Sequence, residues 1–184
     1  LWKAPLDFII QFATPMKSCV ILVGNGGVPS DCPTELVSEF KRLEAASKRA
    51  PTPEFLDVDR KLRDWPRTPR TDPYQAGLQA IAHALRRHLP QERVLEAYNE
   101  FCAPSLVDAL RACASAGAKR IRVISTMFTR GGGHSEKEIP HILESFQKEN
   151  PSVQVRYAWT FDLDAVAGLL AGELERLKSQ PRGR

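Results

Sequence analysis

Four residues of this chain have the type and setting to do chemistry together: Asn25, Glu100, Cys102 and His134, each in a loop that follows an apolar run. An imidazole ligates divalent metals and titrates near neutral pH, a carboxylate accepts protons, and a thiolate is a soft metal ligand. Cys32, in the same loop as Asn25, adds a second thiol. Plainer readings stand beside these: His134 as a satisfied histidine at a helix start, the thiols as idle and buried, Asn25 as a turn residue beside glycine.

The stretch IRVISTMFTRGGGHSEKEIP, residues 121–140, is the most informative. Ile121, Val123 and Ile124 predict a buried strand, and Gly131, Gly132 and Gly133 predict a turn with positive φ. Ser135 then reads as a helix N-cap, with Glu136 and Glu138 in the first turn and Ile139, Ile142, Leu143 and Phe146 as the apolar face. His134 thereby stands at the carboxyl end of a strand and the amino end of a helix, where open α/β sheets place their ligands.

The remaining elements follow the same alternation. Cys19 to Val23 read as a buried strand, 24–33 as a glycine and proline loop, and the next helix as capped by Thr34 with Leu36, Val37, Phe40 and Leu43 on one face. Residues 50–74 carry five prolines, many charges and little periodicity. They read as an insertion beside the cleft, either a solvated connector or a basic lid through Arg60, Lys61, Arg63, Arg67 and Arg70 with Trp65 as a flat apolar surface. A helix over 75–89 turns Leu78, Ile81, Ala82 and Leu85 inward, 93–98 form a strand, and 105–116 form a helix closed by Gly117. Residues 153–159 alternate as a fourth strand, and Asp162 caps a last helix whose apolar residues are Leu163, Val166, Leu169, Leu170 and Leu174. The predicted fold is α/β, a three-layer arrangement with a four-stranded parallel sheet and helices on both faces. The loops 24–33, 99–104 and 128–135 all follow strands, so they share the sheet's carboxyl edge and converge on one crevice.

Composition narrows the partners. With 184 residues and 42% hydrophobic content the chain suits one well-buried domain, predicted over 16–178. Its 26 basic and 22 acidic residues are interleaved, giving a net charge of +4 and no nucleic-acid footprint. Four cysteines without CxxC or zinc-finger spacing suit reduced thiols and a cytoplasmic location. Residues 1–15 read as an N-terminal extension or tag whose apolar part, LDFIIQF, is too short and too polar to span a membrane, and 179–184 as a flexible tail.

The segments VGNGG, AYNEFCAPSL and the strand ending in GGGHSEKEIP resemble the sirohydrochlorin chelatases, the small CbiX-type class II tetrapyrrole chelatases, from about Ser18 to Leu174. The resemblance implies a chelatase-like half domain that pairs as a homodimer and inserts Co²⁺ or Fe²⁺, with Ni²⁺ as a further option, into sirohydrochlorin on the route to cobalamin or siroheme. The metal is substrate, and no organic cofactor is implied. His134 carries over as metal ligand and base, and Glu100 as its carboxylate partner. Gly26, Gly27, Gly132, Gly133, Arg130 and Ser135 are the implied contacts for the tetrapyrrole, with Lys137, Arg63 and Arg67 as further candidates for its carboxylates. The family's usual Gly-His-Gly after the first strand is here Gly24-Asn25-Gly26. An amide offers neither a basic nitrogen nor a strong metal ligand, so a tetrapyrrole or metal carrier without turnover is the alternative. A nucleotide site on GNGG is the weaker rival, because the full GxGxxG, a Walker lysine and a Rossmann acidic residue are missing.

Overall fold

The computed structural model describes residues 17–47 and 50–179; the expected extension at 1–15 and almost all of the expected tail lie outside the described residues. Strand β1, Ser18–Gly24, is an unbroken run of SCVILVG and is buried on both faces, as a central strand of a parallel sheet must be. It lies between β2, Arg93–Tyr98, and β3, Arg120–Ser125, and β4, Gln154–Tyr157, closes the order β2-β1-β3-β4 with all pairings parallel. The predicted three-layer α/β sheet is thus the observed one.

Side-chain alternation divides the core. Cys19, Ile21 and Val23 pack with Ile121 and Val123 against helices Leu106–Ser115 and Ile139–Glu149. Val20 and Leu22 pack with Val94 and Tyr98 against helix Pro73–His88 on the opposite face. In chain order the helices are α1 (Thr34–Ala46), α2 (Pro53–Arg63), α3 (Pro73–His88), α4 (Leu106–Ser115), α5 (Ile139–Glu149) and α6 (Leu163–Ser179). No helix among the described residues is long and apolar enough to cross a membrane.

The stretch expected to be aperiodic contains α2. Thr52 caps it by accepting the Phe55 N–H at 3.2 Å, and Pro53 occupies the first turn, where its missing donor costs nothing. Two of the five prolines, Pro53 and Pro73, therefore start helices instead of breaking them. Phe55, Val58 and Leu62 face Phe40 and Leu43 of α1, forming a third cluster that takes in Val28 and Cys32 from the first loop and Phe101 from the second. The α1–α2 pair is thus seated on two of the loops expected to line the crevice.

The basic lid is not observed in the expected form. Arg67 is buried against Asp72, and it donates to the carbonyls of Gly27 at 2.8 Å, Leu62 at 3.2 Å and Phe101. Arg63 donates to the carbonyls of Asn99 at 2.7 Å and Cys102 at 3.1 Å while paired with Asp59. Both guanidiniums are turned into the protein, so neither is free to meet a ligand's carboxylates. Arg60 and Lys61 pair with Asp57.

Several local details also differ from expectation. Pro33, not Thr34, precedes α1, and no side chain caps it. Residues His134–Glu138 wind as a π-type turn that runs directly into α5, because Gly133 already has helical angles; Ser135 is buried inside this turn and caps nothing. Of the three glycines only Gly131 has positive φ. Ile81, expected inward on α3, is 52% exposed, and Leu169, Leu170, Leu174 and Leu177 of α6 are likewise exposed.

Removing Arg67 leaves Asp72 buried without its counter-ion, which typically costs about 3–5 kcal/mol. Urea unfolding of Arg67→Ala is expected to show a loss in that range, with a smaller loss in the double variant Arg67→Ala/Asp72→Asn. Unchanged stability in the single variant would contradict the assignment.

Candidate functional site

The three loops at the carboxyl ends of β1, β2 and β3 meet as expected, and backbone contacts set their spacing. The Asn99 N–H donates to the Gly24 carbonyl at 3.0 Å and the Glu100 N–H to the Asn25 carbonyl at 2.8 Å. Gly26 lies so close that a Cβ there would fall 1.9 Å from the Glu100 carbonyl oxygen, and its φ is +99°. Only glycine permits this approach. On the far side of Glu100, Phe101 has a positive φ and seats its ring 5.4 Å from Phe40, inside the α1–α2 cluster.

These contacts bring Asn25, Glu100 and His134 together. Asn25 Nδ2 is 3.5 Å from Glu100 Oε2, and its backbone N–H donates to the Tyr74 hydroxyl at 2.7 Å. Glu100 Oε1 lies 3.6 Å from His134 Nε2, and both side chains are about a quarter exposed. His134 Nδ1 is 2.7 Å from Glu138 Oε2, one helical turn along. A carboxylate on Nδ1 favours the tautomer with its proton there, which leaves the Nε2 lone pair directed toward Glu100. The imidazole is thus oriented by one carboxylate and presented to another.

Two members of this cluster were missed by the sequence reading. Glu138 had a readable signal, its i,i+4 spacing from His134 on a helix. Glu44 had none, since nothing in the pattern of α1 reveals that it lies over the crevice. Desolvation, followed by the charges of Glu100 and Glu138, raises its carboxyl above the ordinary range. Among the described residues no three His, Cys, Asp or Glu side chains converge as a metal-holding group.

Other expected contributors lie elsewhere. Cys102 is fully buried, accepts from Gln75 Nε2 at 3.2 Å and donates to its neighbour's carbonyl, so it is no thiolate ligand. Burial also raises the Cys32 thiol. Ser135 is 1% exposed and faces Tyr157. The Gly27 carbonyl is occupied by Arg67. Gly132, Gly133, Arg130 and Lys137 are exposed on the loop and turn around His134, with Arg130 3.9 Å from Glu136. An aromatic series unanticipated from sequence, Tyr157, Trp159, Phe161 and Phe128, runs from β4 to this loop with successive centroids 6.2, 5.7 and 5.1 Å apart.

A sequence model of the CbiX family matches residues 69–173, a span that holds Glu100 and His134 and begins after α1 and α2. No curated protein matches the chain. Among solved structures, a cobalamin (vitamin B12) biosynthesis CbiX protein of Marinobacter aquaeolei VT8 is similar, at 17% identity and a TM-score of 0.49 over 86% of this chain and 98% of that one. The sirohydrochlorin chelatase SirB of Bacillus subtilis subspecies spizizenii, in complex with cobalt, is similar at 17% identity and a TM-score of 0.45, over 77% of this chain. The chain spans 42% of that protein's length.

The Cys102 thiol yields a pH test. Burial pushes it up to about 11, above the roughly 8.5 of an unfolded cysteine. The native state keeps its proton longer than the unfolded state does, so this group makes stability fall as pH rises between those values. Mass spectrometry after iodoacetamide treatment of the native protein at pH 8.5 is expected to find Cys32 alkylated well before Cys102; equal rates would contradict the burial assigned to Cys102.

Proposed function

We propose that this chain, which belongs to the CbiX family, inserts a divalent metal, Co²⁺ or Fe²⁺, into sirohydrochlorin or a closely related tetrapyrrole. The observation that carries the reading is the imidazole of His134 held at Nδ1 by Glu138 with Nε2 facing Glu100. A first-row divalent ion sits roughly 2.1 Å from an imidazole nitrogen or carboxylate oxygen. The 3.6 Å between Nε2 and Oε1 is less than twice that distance, so one ion fits between the two donors.

Metallation exchanges two pyrrole protons for the metal. His134 and Glu100 hold the ion before it passes to the macrocycle, and the same groups then take up the released protons, since both are basic once the ion has left. Asn25 supplies neither function; its amide donates toward Glu100 and fixes that carboxylate. Carboxylates at the rim of the tetrapyrrole meet the exposed Arg130 and Lys137 and the amides of Gly132 and Gly133. The working assembly in this reading is a homodimer in the cytoplasm, the crevice of one copy closed by the other.

The specific observation behind the second reading, a carrier that binds without turnover, is the amide at Asn25 where the family pattern has imidazole. Anaerobic absorbance of sirohydrochlorin with Co²⁺ distinguishes the roles. His134→Ala is expected to abolish insertion with the fold intact, and Glu138→Gln to lower Co²⁺ affinity or the insertion rate by about 10–100-fold, as loss of an orienting carboxylate does elsewhere. Full activity in His134→Ala would remove it as the metal-handling group.

A further inference from the structure

We infer that an apolar shelf on α3, beside Asn25, receives one face of the tetrapyrrole; the inference rests on the chelatase reading and names where its macrocycle lies. The shelf is a cleft of about 310 Å³ lined by Pro73, Tyr74, Gly77, Leu78, Ile81 and Thr126. None of these side chains is charged. Ile81 is 52% and Tyr74 40% exposed, although the periodicity of α3 would turn Ile81 inward.

Three features connect the shelf to the site. The Tyr74 hydroxyl accepts the backbone N–H of Asn25 at 2.7 Å, so a ring lining the shelf is fastened to the first loop. Thr126, also lining the cleft, is anchored by its N–H to the Val23 carbonyl at 3.0 Å and begins the loop that leads to His134. The floor therefore lies between the loops that carry Asn25 and His134, on the same edge of the sheet as Glu100. Gly77 lines the same cleft, and a Cβ on it would meet no atom within 4 Å. Glycine inside a helix costs about 0.5–1 kcal/mol relative to alanine. No packing constraint within the protein requires it there, and the absence of a side chain leaves the helix surface open to a flat ligand.

The chemistry of the floor selects the ligand. A tyrosine ring and aliphatic edges suit the face of an extended π system, and an uncharged lining suits its interior while the peripheral carboxylates project outward to polar groups. Co²⁺ alone has no affinity for such a surface. A macrocycle resting on it would bring one edge to Asn25 and its centre toward the metal held at His134 and Glu100.

Gly77→Leu tests this without touching the metal-handling residues. The added side chain enters open space and replaces a helix-weakening residue, so the variant is expected to fold with stability at or above that of the parent. Titration of metal-free sirohydrochlorin, followed by its absorbance, is expected to show at least tenfold weaker binding by Gly77→Leu. Co²⁺ affinity by calorimetry and mass by sedimentation velocity are expected to be unchanged. Ile81→Glu, at an exposed position that would repel an anionic macrocycle, is expected to weaken binding as well. Parental affinity in both variants would overturn the inference, as would a change in oligomeric mass, which would make the shelf a contact between copies of the chain. Absence of sirohydrochlorin binding in the parent protein would overturn the chelatase reading itself, and this inference with it.

Discussion

The arrangement at the crevice depends on one buried ion pair, Arg67 with Asp72. Two charges removed from water repay their desolvation only when their remaining hydrogen bonds are satisfied. The two terminal nitrogens of Arg67 donate to carbonyls from the first loop, the end of α2 and the second loop, leaving only the buried Nε without a partner, and Asp72 caps α3 through the Gln75 N–H. A single guanidinium therefore joins the α1–α2 pair to both loops and to the start of the helix that carries the shelf. Arg63 repeats the device on the carbonyls around Glu100. Residues whose charge suggests ligand capture instead supply the rigidity that holds Asn25 and Glu100 at fixed spacing.

Held in this way, the loops create a gradient of roles around one imidazole. Glu138 orients it, Glu100 faces its open nitrogen, and Glu44 reaches the same region from α1. In the chelatase reading, the negative charge collected there draws a divalent cation, and the apolar surface of α3 adjoins the first loop through the Tyr74 hydroxyl on Asn25. Separation of a charged, imidazole-centred side from an uncharged floor is what insertion of a small hard-to-intermediate ion into a large flat ring requires. The Asn25 amide spends its reach on Glu100 and on its own loop.

Much of this was legible in the sequence, for reasons that differ by element. β1, β2 and β3 are short, largely apolar runs buried on one or both faces, and such runs announce themselves, while β4 was legible from its alternation of polar and apolar residues. The convergence of Asn25, Glu100 and His134 followed from topology alone, since loops after parallel strands share one edge. The α1–α2 pair was half hidden, because prolines that begin helices look like prolines that prevent them. The inward turn of Arg63 and Arg67 was not legible at all: an arginine's partners are backbone carbonyls brought near by the fold, and no spacing in sequence encodes them. Ile81 was misread for the complementary reason, that periodicity cannot distinguish a core from an exposed apolar floor. Ser135 failed as a cap because Gly133 continued the helix one turn earlier than its composition suggested.

In the proposed mechanism His134 and Glu100, without a second imidazole, suffice to metallate the ring. The most direct test compares initial rates of Co²⁺ insertion into sirohydrochlorin, anaerobically and by absorbance, for the chain as it stands, for Asn25→His and for a blank without protein. Turnover above the blank is expected for the unaltered chain, with Asn25→His faster or equal. Turnover confined to Asn25→His would contradict it and leave this chain a binder whose catalytic pair is incomplete.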